Sequence, residues 1–190
     1  VAFLDAGAQY AKVIDRRVRE LNVESIILPL DTAASELKGK YDAIIISGGP
    51  ESVYGDKAPK YDAKTFDLKV PIFGICYGLQ LLNYVHGGTV EKKKTREDGV
   101  FDIDTVKGSQ LFQDLDSKLQ VLLTHGDSIS KVAPGFVCTA KSSSGIVAAI
   151  ESEEKNMFGV QFHPEVDLTT CGTDIFRNFL YKICKFRGTY

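Results

Sequence analysis

The first half of the chain alternates short apolar runs with a segment of helical periodicity. Apolar runs occupy residues 1–5, 25–30, 41–47 and 70–75, and the last two are almost continuously apolar. Residues 9–21 instead carry apolar side chains at helical spacing among charged ones. Continuous apolar runs are typical of strands that are covered on both faces. The alternation therefore predicts a mostly parallel sheet with right-handed crossovers.

The second half of the chain has a different pattern. Five short strand candidates occupy residues 100–106, 120–124, 135–141, 145–151 and 157–162. They lie close together with turn residues between them, which predicts antiparallel additions to the sheet. Residues 174–185 place their apolar side chains on one helical face and predict a closing helix. The whole pattern predicts an α/β fold with three layers.

Composition adds limits rather than a function. A chain of 190 residues suits one domain with one sizeable core. The net charge of -2 gives no general attraction to nucleic acid or to an acidic membrane surface. No apolar run reaches the roughly 20 residues that a membrane helix needs, and no basic region precedes the first apolar run as in a signal peptide. We therefore expect a cytoplasmic domain with neither a nucleic acid nor a membrane as partner.

The four cysteines are Cys76, Cys138, Cys171 and Cys184. Because none of them forms a C-x-x-C pair, the sequence argues against a structural zinc site, and no metal is expected. A domain of this size needs no disulfides, which favours a reducing compartment. Cys138 and Cys184 lie in apolar surroundings and are interpreted as small buried hydrophobic residues.

The first chemical motif is Gly74-Ile75-Cys76-Tyr77-Gly78, which follows an apolar run and opens a helical pattern. It has the form of a nucleophile elbow with a cysteine as the nucleophile. The two glycines allow strand and helix to pack closely through a sharp turn. A helix N-terminus also favours a thiolate through its backbone N–H groups. Taken alone, the motif also fits a buried cysteine at a glycine-rich strand end.

The second motif is His163-Pro164-Glu165, directly after the last strand candidate. Pro164 keeps His163 extended, and alternate side chains of an extended chain point to the same side. Glu165 is therefore expected to accept a hydrogen bond from one ring nitrogen of His163. The other nitrogen is then left for a thiol, which is the arrangement that a cysteine nucleophile needs. Taken alone, the motif also fits a surface turn.

The third motif is the Ser-Gly-Gly-Pro turn of residues 47–50, which ends the third apolar run. In a doubly wound sheet the crevice lies at the carboxyl ends of the strands, so this turn and Cys76 are expected at the same edge. A glycine N–H there can complete an oxyanion hole with the N–H of Tyr77. An ordinary glycine turn is the alternative. A phosphate-binding loop is a weak one, because the pattern G-x-x-x-x-G-K-S/T is missing.

With these motifs, the sequence resembles the class I glutamine amidotransferases, whose glutaminase domain has a Cys-His-Glu triad. The resemblance rests on residues 74–80 (GICYGLQ) and 161–165 (QFHPE) and covers nearly the whole chain. Residues 4–10, 47–54 and 124–128 make it most similar to the glutaminase part of the eukaryotic GMP synthetases. The fold implied is the flavodoxin-like one of this family, with residues 1–190 as one type 1 glutamine amidotransferase domain.

The resemblance implies a role for each matching residue. Cys76 attacks the side-chain amide of L-glutamine, His163 protonates the departing ammonia and later activates water, and Glu165 orients His163. The N–H groups of Gly49 and Tyr77 hold the oxyanion.

Substrate binding is implied for Gln80, Gly126 and Asp127. Two of these have simpler interpretations, because Gln80 lies one helical turn after the cysteine and Asp127 suits a turn or a helix cap. His125 is expected to be a loop residue beside the pocket, since no carboxylate is placed two residues away in an extended segment to orient it. The Lys92-Lys93-Lys94 run predicts a solvated loop, with partner docking as the weaker alternative.

The resemblance also implies a partner. In the family, ammonia passes to a synthetase part that uses ATP and Mg²⁺, in the same or a partner chain, to convert XMP to GMP. No cofactor is expected in the present domain. One alternative is an amidotransferase domain of another pathway on the same scaffold. Another is a non-catalytic docking or regulatory module that has kept the fold.

Overall fold

A computed structural model describes the 190 residues of the chain, except for the side chain of Thr95. Within this description the strands form one nine-stranded sheet in the order β2-β1-β3-β4-β9-β8-β7-β5-β6. The strands are β1 Ala2–Asp5, β2 Ile26–Pro29, β3 Ile44–Ile46, β4 Ile72–Ile75, β5 Thr89–Thr105, β6 Lys118–Lys131, β7 Val137–Ser142, β8 Val147–Ser152 and β9 Met157–Val160.

The sheet has a parallel half and an antiparallel half. The pairs β1–β2, β1–β3, β3–β4 and β4–β9 are parallel. The pairs β8–β9, β7–β8, β5–β7 and β5–β6 are antiparallel. This confirms the predicted α/β fold with a mixed sheet. The last strand, β9, lies between the two halves, beside β4.

Helices cover both faces of the sheet. They are α1 Ala11–Glu20, α2 Ala34–Leu37, a 3₁₀ turn Ala63–Asp67, α3 Tyr77–Val85 and α4 Gly172–Arg177, which continues as a π-helical segment Asn178–Ile183. Side chains of successive strand residues point to opposite faces. Phe3 and Phe73 accordingly pack with α1 and α4, while Leu4 and Ile72 pack with α3. Among the described residues, no helix is both long enough and apolar enough to cross a bilayer.

Two predictions about loops were wrong. Lys92-Lys93-Lys94 lies within β5, and His125 lies within β6. These strands, of 17 and 14 residues, form a hairpin that is longer than the apolar pattern indicated. Much of β5 is exposed and polar, and its pairing with β6 shifts register between Lys92 and Glu97. Backbone pairing with β6, and not burial of side chains, therefore holds this part of the chain.

Candidate active site

Cys76 occupies a sharp turn between β4 and α3. Its backbone has φ of 53° and ψ of -105°, which is unusual for a residue with a side chain. Its N–H donates to the carbonyl of Val160 at 2.8 Å, and its carbonyl accepts from the N–H of Gln80 at 3.2 Å. These bonds on both sides hold the strained conformation. The turn brings the sulfur to the carboxyl edge of the parallel strands.

The two glycines of the elbow allow this close approach. A Cβ atom at Gly74 would lie 2.4 Å from the carbonyl carbon of Gly78. One at Gly78 would lie 2.4 Å from the carbonyl oxygen of Ile46. Both contacts are far inside van der Waals distance, so the strand and helix can meet this closely only without these side chains. The packing role predicted for the glycines is confirmed.

His163 and Glu165 lie together beyond the end of β9. Nδ1 of His163 is 2.7 Å from Oε1 of Glu165, as the extended His-x-Glu spacing predicts. Nε2 is 3.1 Å from the hydroxyl oxygen of Thr124 on β6. Backbone contacts fix the histidine, since its N–H donates to Leu122 and its carbonyl accepts from the Thr169 hydroxyl at 2.7 Å.

The cysteine and the histidine meet beside the Gly-Gly turn. A Cβ atom at Gly48 would lie 3.4 Å from Cβ of Cys76 and 3.6 Å from Cε1 of His163. Burial acts to lower the pKa of His163, but the Cys76 thiol and the Glu165 carboxylate outweigh it and raise the pKa to about 10. The raised pKa favours the cationic form of the imidazole at neutral pH.

A cavity of about 380 Å³ opens in front of these groups. Its lining residues come from six loops or strands and are Gly7, Ala8, Gln9, Tyr10, Gly48, Gly49, Pro50, Cys76, Arg96, Asp98, Thr124, His163 and Glu165. The structure therefore brings the three proposed triad residues and Gly49 to one cavity. A side-chain amide can reach the sulfur from it.

Gly49 lines this cavity, and Tyr77 directly follows Cys76 in the chain, while the oxyanion role of their N–H groups stays a prediction. In the described part of the chain, neither N–H has a hydrogen-bond acceptor. A Cβ atom at Gly49 would lie 2.4 Å from the carbonyl oxygen of Ala6, so the first loop of the chain holds this glycine in place. The side chain of Tyr77 is buried, which raises the pKa of its phenol to about 12. Only the main chain of Tyr77 is therefore available to an oxyanion.

The three predicted glutamine-binding residues lie behind the cavity wall. Gln80, Gly126 and Asp127 are not among the residues that line it. Nε2 of Gln80 donates to the carbonyl of Asp127 at 3.0 Å and to Oε1 of Gln161 at 3.1 Å. The Asp127 carboxylate accepts from the hydroxyls of Ser52 at 2.5 Å and Tyr54 at 3.3 Å. Their role in binding glutamine stays a prediction.

The interpretation of His125 as a loop residue without an orienting carboxylate was wrong. Its ring is buried in β6, with Nε2 2.8 Å from Oε1 of Glu97 and Nδ1 2.7 Å from the carbonyl of Asp127. The carboxylate comes from the neighbouring strand, 28 positions earlier in the sequence. A search for carboxylates two residues away therefore missed it.

Other site residues had no role assigned from sequence. Nε2 of Gln161 lies 3.5 Å from Sγ of Cys76. Thr124 contacts His163, and the ring of Tyr10 packs edge-on against the imidazole with centroids 5.9 Å apart. Gln161 could have been found from sequence, because it stands two residues before His163 and side chains at that spacing in an extended chain point to the same side.

The described residues contain no group of three or more histidine, cysteine, aspartate or glutamate side chains that is arranged to hold a metal ion.

Comparison with known proteins shows the family of this chain. The family model described as "Glutamine amidotransferase class-I" matches residues 2–183. This chain belongs to the class-I glutamine amidotransferases.

Curated members of that family are similar along the whole of this chain. A GMP synthase (glutamine-hydrolysing) from Dictyostelium discoideum is 55% identical over 205 residues and matches 100% of this chain. A probable GMP synthase from Caenorhabditis elegans is 51% identical and also matches 100% of it. The chain spans 29% and 26% of the length of these two relatives.

Solved structures of class-I amidotransferases have the same fold. A Thermoplasma acidophilum protein, provisionally described as one subunit of GMP synthase, is 31% identical with a TM-score of 0.85. The match covers 97% of this chain and 92% of that one. A glutamine amidotransferase from Thermotoga maritima has a TM-score of 0.75 at 18% identity, covering 97% and 98% of the two chains, and shows the fold alone.

Proposed function

We propose that this chain is a glutaminase domain that hydrolyses L-glutamine to glutamate and ammonia through a thioester on Cys76. The observation that carries the proposal is the position of Cys76, in a strained elbow beside the ion-paired His163 and Glu165. A nucleophile, a base and an orienting carboxylate at one cavity are the parts that acyl transfer requires.

The first half of the reaction forms the thioester. The Cys76 thiolate attacks the amide carbon, and the carbonyl oxygen becomes an oxyanion that accepts from the N–H groups of Gly49 and Tyr77. The carbon–nitrogen bond breaks as the imidazolium of His163 gives its proton to the nitrogen, and ammonia leaves. Glu165 remains hydrogen-bonded to Nδ1 and keeps the ring oriented.

The second half releases glutamate. The neutral imidazole of His163 accepts a proton from water, and the oxygen attacks the thioester carbon. The carbon–sulfur bond then breaks, which restores the thiolate of Cys76 beside the imidazolium of His163. Protons balance over the two halves, since the one given to ammonia is recovered from water.

We further propose that the domain, residues 1–190, supplies ammonia to a synthetase part that binds ATP and Mg²⁺ and converts XMP to GMP in the cytoplasm. Support comes from the names of the curated relatives and from the 26% to 29% of their length that this chain spans. The synthetase belongs to the same chain or to a separate partner chain. The second arrangement has a parallel in the Thermoplasma protein, whose own chain is matched over 92% of its length.

Glutamate release from glutamine tests the proposal. We would measure it for the wild type and for Cys76→Ala, each with and without the synthetase part, with Cys138→Ala as the matched cysteine control. Release should disappear in Cys76→Ala alone. Release that survives in that variant, or that never occurs in the wild type even with the synthetase part, would contradict a Cys76 thioester.

A further inference from the structure

We propose that Gln161 is a further catalytic residue, whose side-chain amide donates a hydrogen bond to the sulfur of Cys76, and that Gln80 positions it. The inference rests on the proposed function and assigns a new role at the same site. The sulfur, and not the carbonyl oxygen or the leaving nitrogen, is the atom on which Gln161 acts.

Gln161 has few alternatives to this contact. The residue is completely buried, and its backbone N–H donates to the carbonyl of Ala148 at 2.8 Å. Its Nε2 lies 3.5 Å from Sγ of Cys76, and its Oε1 accepts from Nε2 of Gln80 at 3.1 Å. Backbone and side chain are thus both fixed, so the amide is held at the sulfur before any substrate binds.

The orientation of both amides follows from their partners. The carbonyl of Asp127 can only accept, so the Gln80 atom that faces it at 3.0 Å must be the nitrogen. The second hydrogen of that nitrogen points to Gln161, whose facing atom must then be the oxygen. The Gln161 nitrogen is therefore left for the sulfur. Gln80 acts through Gln161 and is a positioning residue.

The same carbonyl of Asp127 also holds His125. It lies 2.7 Å from Nδ1 of His125, while Nε2 of that ring lies 2.8 Å from Oε1 of Glu97. The backbone at Asp127 is thus tied to both β5 and β6. A line of hydrogen bonds therefore runs from the hairpin to the nucleophile.

An N–H group that donates a hydrogen bond to sulfur stabilises the negative charge of a thiolate. A hydrogen bond to an ionised acceptor is roughly twice as strong as one to a neutral acceptor. The bond from Gln161 is thus strongest when Cys76 is a thiolate, before attack and again when the thioester breaks. The charged residues that line the cavity are His163, Glu165, Arg96 and Asp98, the last two on β5. Gln161, in contrast, is a neutral side-chain donor to the sulfur.

The test measures the thiolate without using glutamine. We would follow alkylation of Cys76 by iodoacetamide against pH in the full-length protein, with peptide mass mapping to separate it from the other cysteines. The midpoint is the pH at which the alkylation rate of Cys76 reaches half its maximum. Gln161→Met keeps the size of the side chain and removes the donor, and it should raise this midpoint by about one pH unit. Gln80→Met should move it less. Gln113→Met removes a glutamine hydrogen bond to the carbonyl of Gln110, away from the cavity, and should leave it unchanged.

A second substitution reverses the effect at the sulfur. Gln161→Glu can still accept from Gln80 but faces the sulfur with a negative oxygen, so the midpoint should rise further than in Gln161→Met. An unchanged midpoint in a folded Gln161→Met protein overturns the proposal. If that protein does not fold, an unchanged midpoint in Gln80→Met overturns it instead.

The two proposals fail in different ways. Midpoint shifts as described, together with no glutamate release by the wild type, would sink the glutaminase function and keep the contact between Gln161 and sulfur. Normal glutamate release by the wild type together with equal midpoints in all variants would keep the glutaminase function and overturn the role of Gln161. In an active protein, Gln161→Met should also lower kcat more than it raises KM, because the contact is to the nucleophile.

Discussion

Among the described residues, two histidines are paired with carboxylates, and one of these pairs faces the cavity. His163 and Glu165 are 2.7 Å apart, and His125 and Glu97 are 2.8 Å apart. Both carboxylate side chains are 1% exposed. Each has a second oxygen without a hydrogen-bond partner in the described part of the chain. In distance and in the burial of the carboxylate, the two pairs are nearly the same, whereas the His163 side chain is 12% exposed and the His125 side chain 3%.

The difference lies in the second ring nitrogen. In His125 it is bound to the backbone carbonyl of Asp127, inside the β5–β6 hairpin. In His163 it lies 3.1 Å from the hydroxyl of Thr124, which lines the cavity together with Cys76. A histidine whose second nitrogen is bound to the backbone, away from the cavity, is part of the scaffold. One whose second nitrogen reaches a cavity can move a proton.

The largest expected effect comes from removing each histidine in turn. His163→Asn should lower glutamate release by at least about 10³-fold, because base and acid are both lost. His125→Asn should lower it by less than about tenfold, through a less well-ordered hairpin. The measurement is steady-state kcat for both variants, with circular dichroism as the folding control. Equal losses in two folded variants would abolish the distinction between the pairs.

Replacing the carboxylates should separate activity from stability. Glu165→Gln should cost about 10²-fold or more in kcat, because His163 loses the group that orients it. Glu97→Gln should keep kcat near the wild-type value and instead lower the free energy of unfolding by about 1–3 kcal/mol. Urea unfolding and initial rates give both numbers. A Glu97→Gln protein of normal stability but low kcat would place the second pair in the chemistry.

The pH dependence of stability should depend on His163. Its pKa is raised in the folded state to about 10 from about 6.5, so the folded state binds its proton more tightly. This contribution to stability is fully present below about pH 6.5 and is lost as the pH rises through about 10. The unfolding temperature should therefore fall more between pH 7 and pH 10 in the wild type than in His163→Asn.

His125→Asn is the control for this experiment and should keep the wild-type fall. Cys76→Ala should reduce the fall, because the thiol is one of the groups that raise the pKa of His163. At about 2–4 °C per kcal/mol for a domain of this size, the differences are measurable by calorimetry. Identical curves for the wild type and His163→Asn would count against the raised pKa.

The smallest expected effect is at Thr124. Thr124→Val keeps the shape of the side chain and removes the hydroxyl at Nε2 of His163. In the neutral form of His163 that accepts a proton from water, this hydrogen bond joins two neutral groups and contributes about 1 kcal/mol, so kcat should change by about three- to tenfold. Thr139→Val, at a buried threonine whose hydroxyl has no partner in the described residues, is the control. A loss at Thr124 as large as that of His163→Asn would give the threonine a part in the proton transfer.

The parallel half of the molecule could be predicted from sequence because its signals are local. Each of its inner strands is an apolar run, and the elbow, the glycine turn and the His-x-Glu motif each lie within a few residues. Their meeting at one edge follows from the topology of parallel strands. The contact between His163 and Glu165 was also predicted, although the structure forms it at a turn and not in an extended backbone.

The hairpin could not be predicted in the same way. Its outer part is polar, so neither its length nor its register leaves a hydrophobic pattern. The pairing of His125 with Glu97, and the contact between Gln80 and the backbone of Asp127, join residues that are 28 and 47 positions apart. Side-chain bonds across strands depend on register, and one sequence does not determine that register.

The place of β9 in the sheet has a consequence for how the protein is made. Cys76 is synthesised 85 residues before Gln161. Gln161 and His163 follow β9, which pairs directly with β4, the strand that precedes Cys76. Until that late strand inserts, the nascent chain holds a cysteine with neither its base nor its amide donor. The proposed reaction with glutamine therefore requires that β9 has been synthesised and inserted into the sheet.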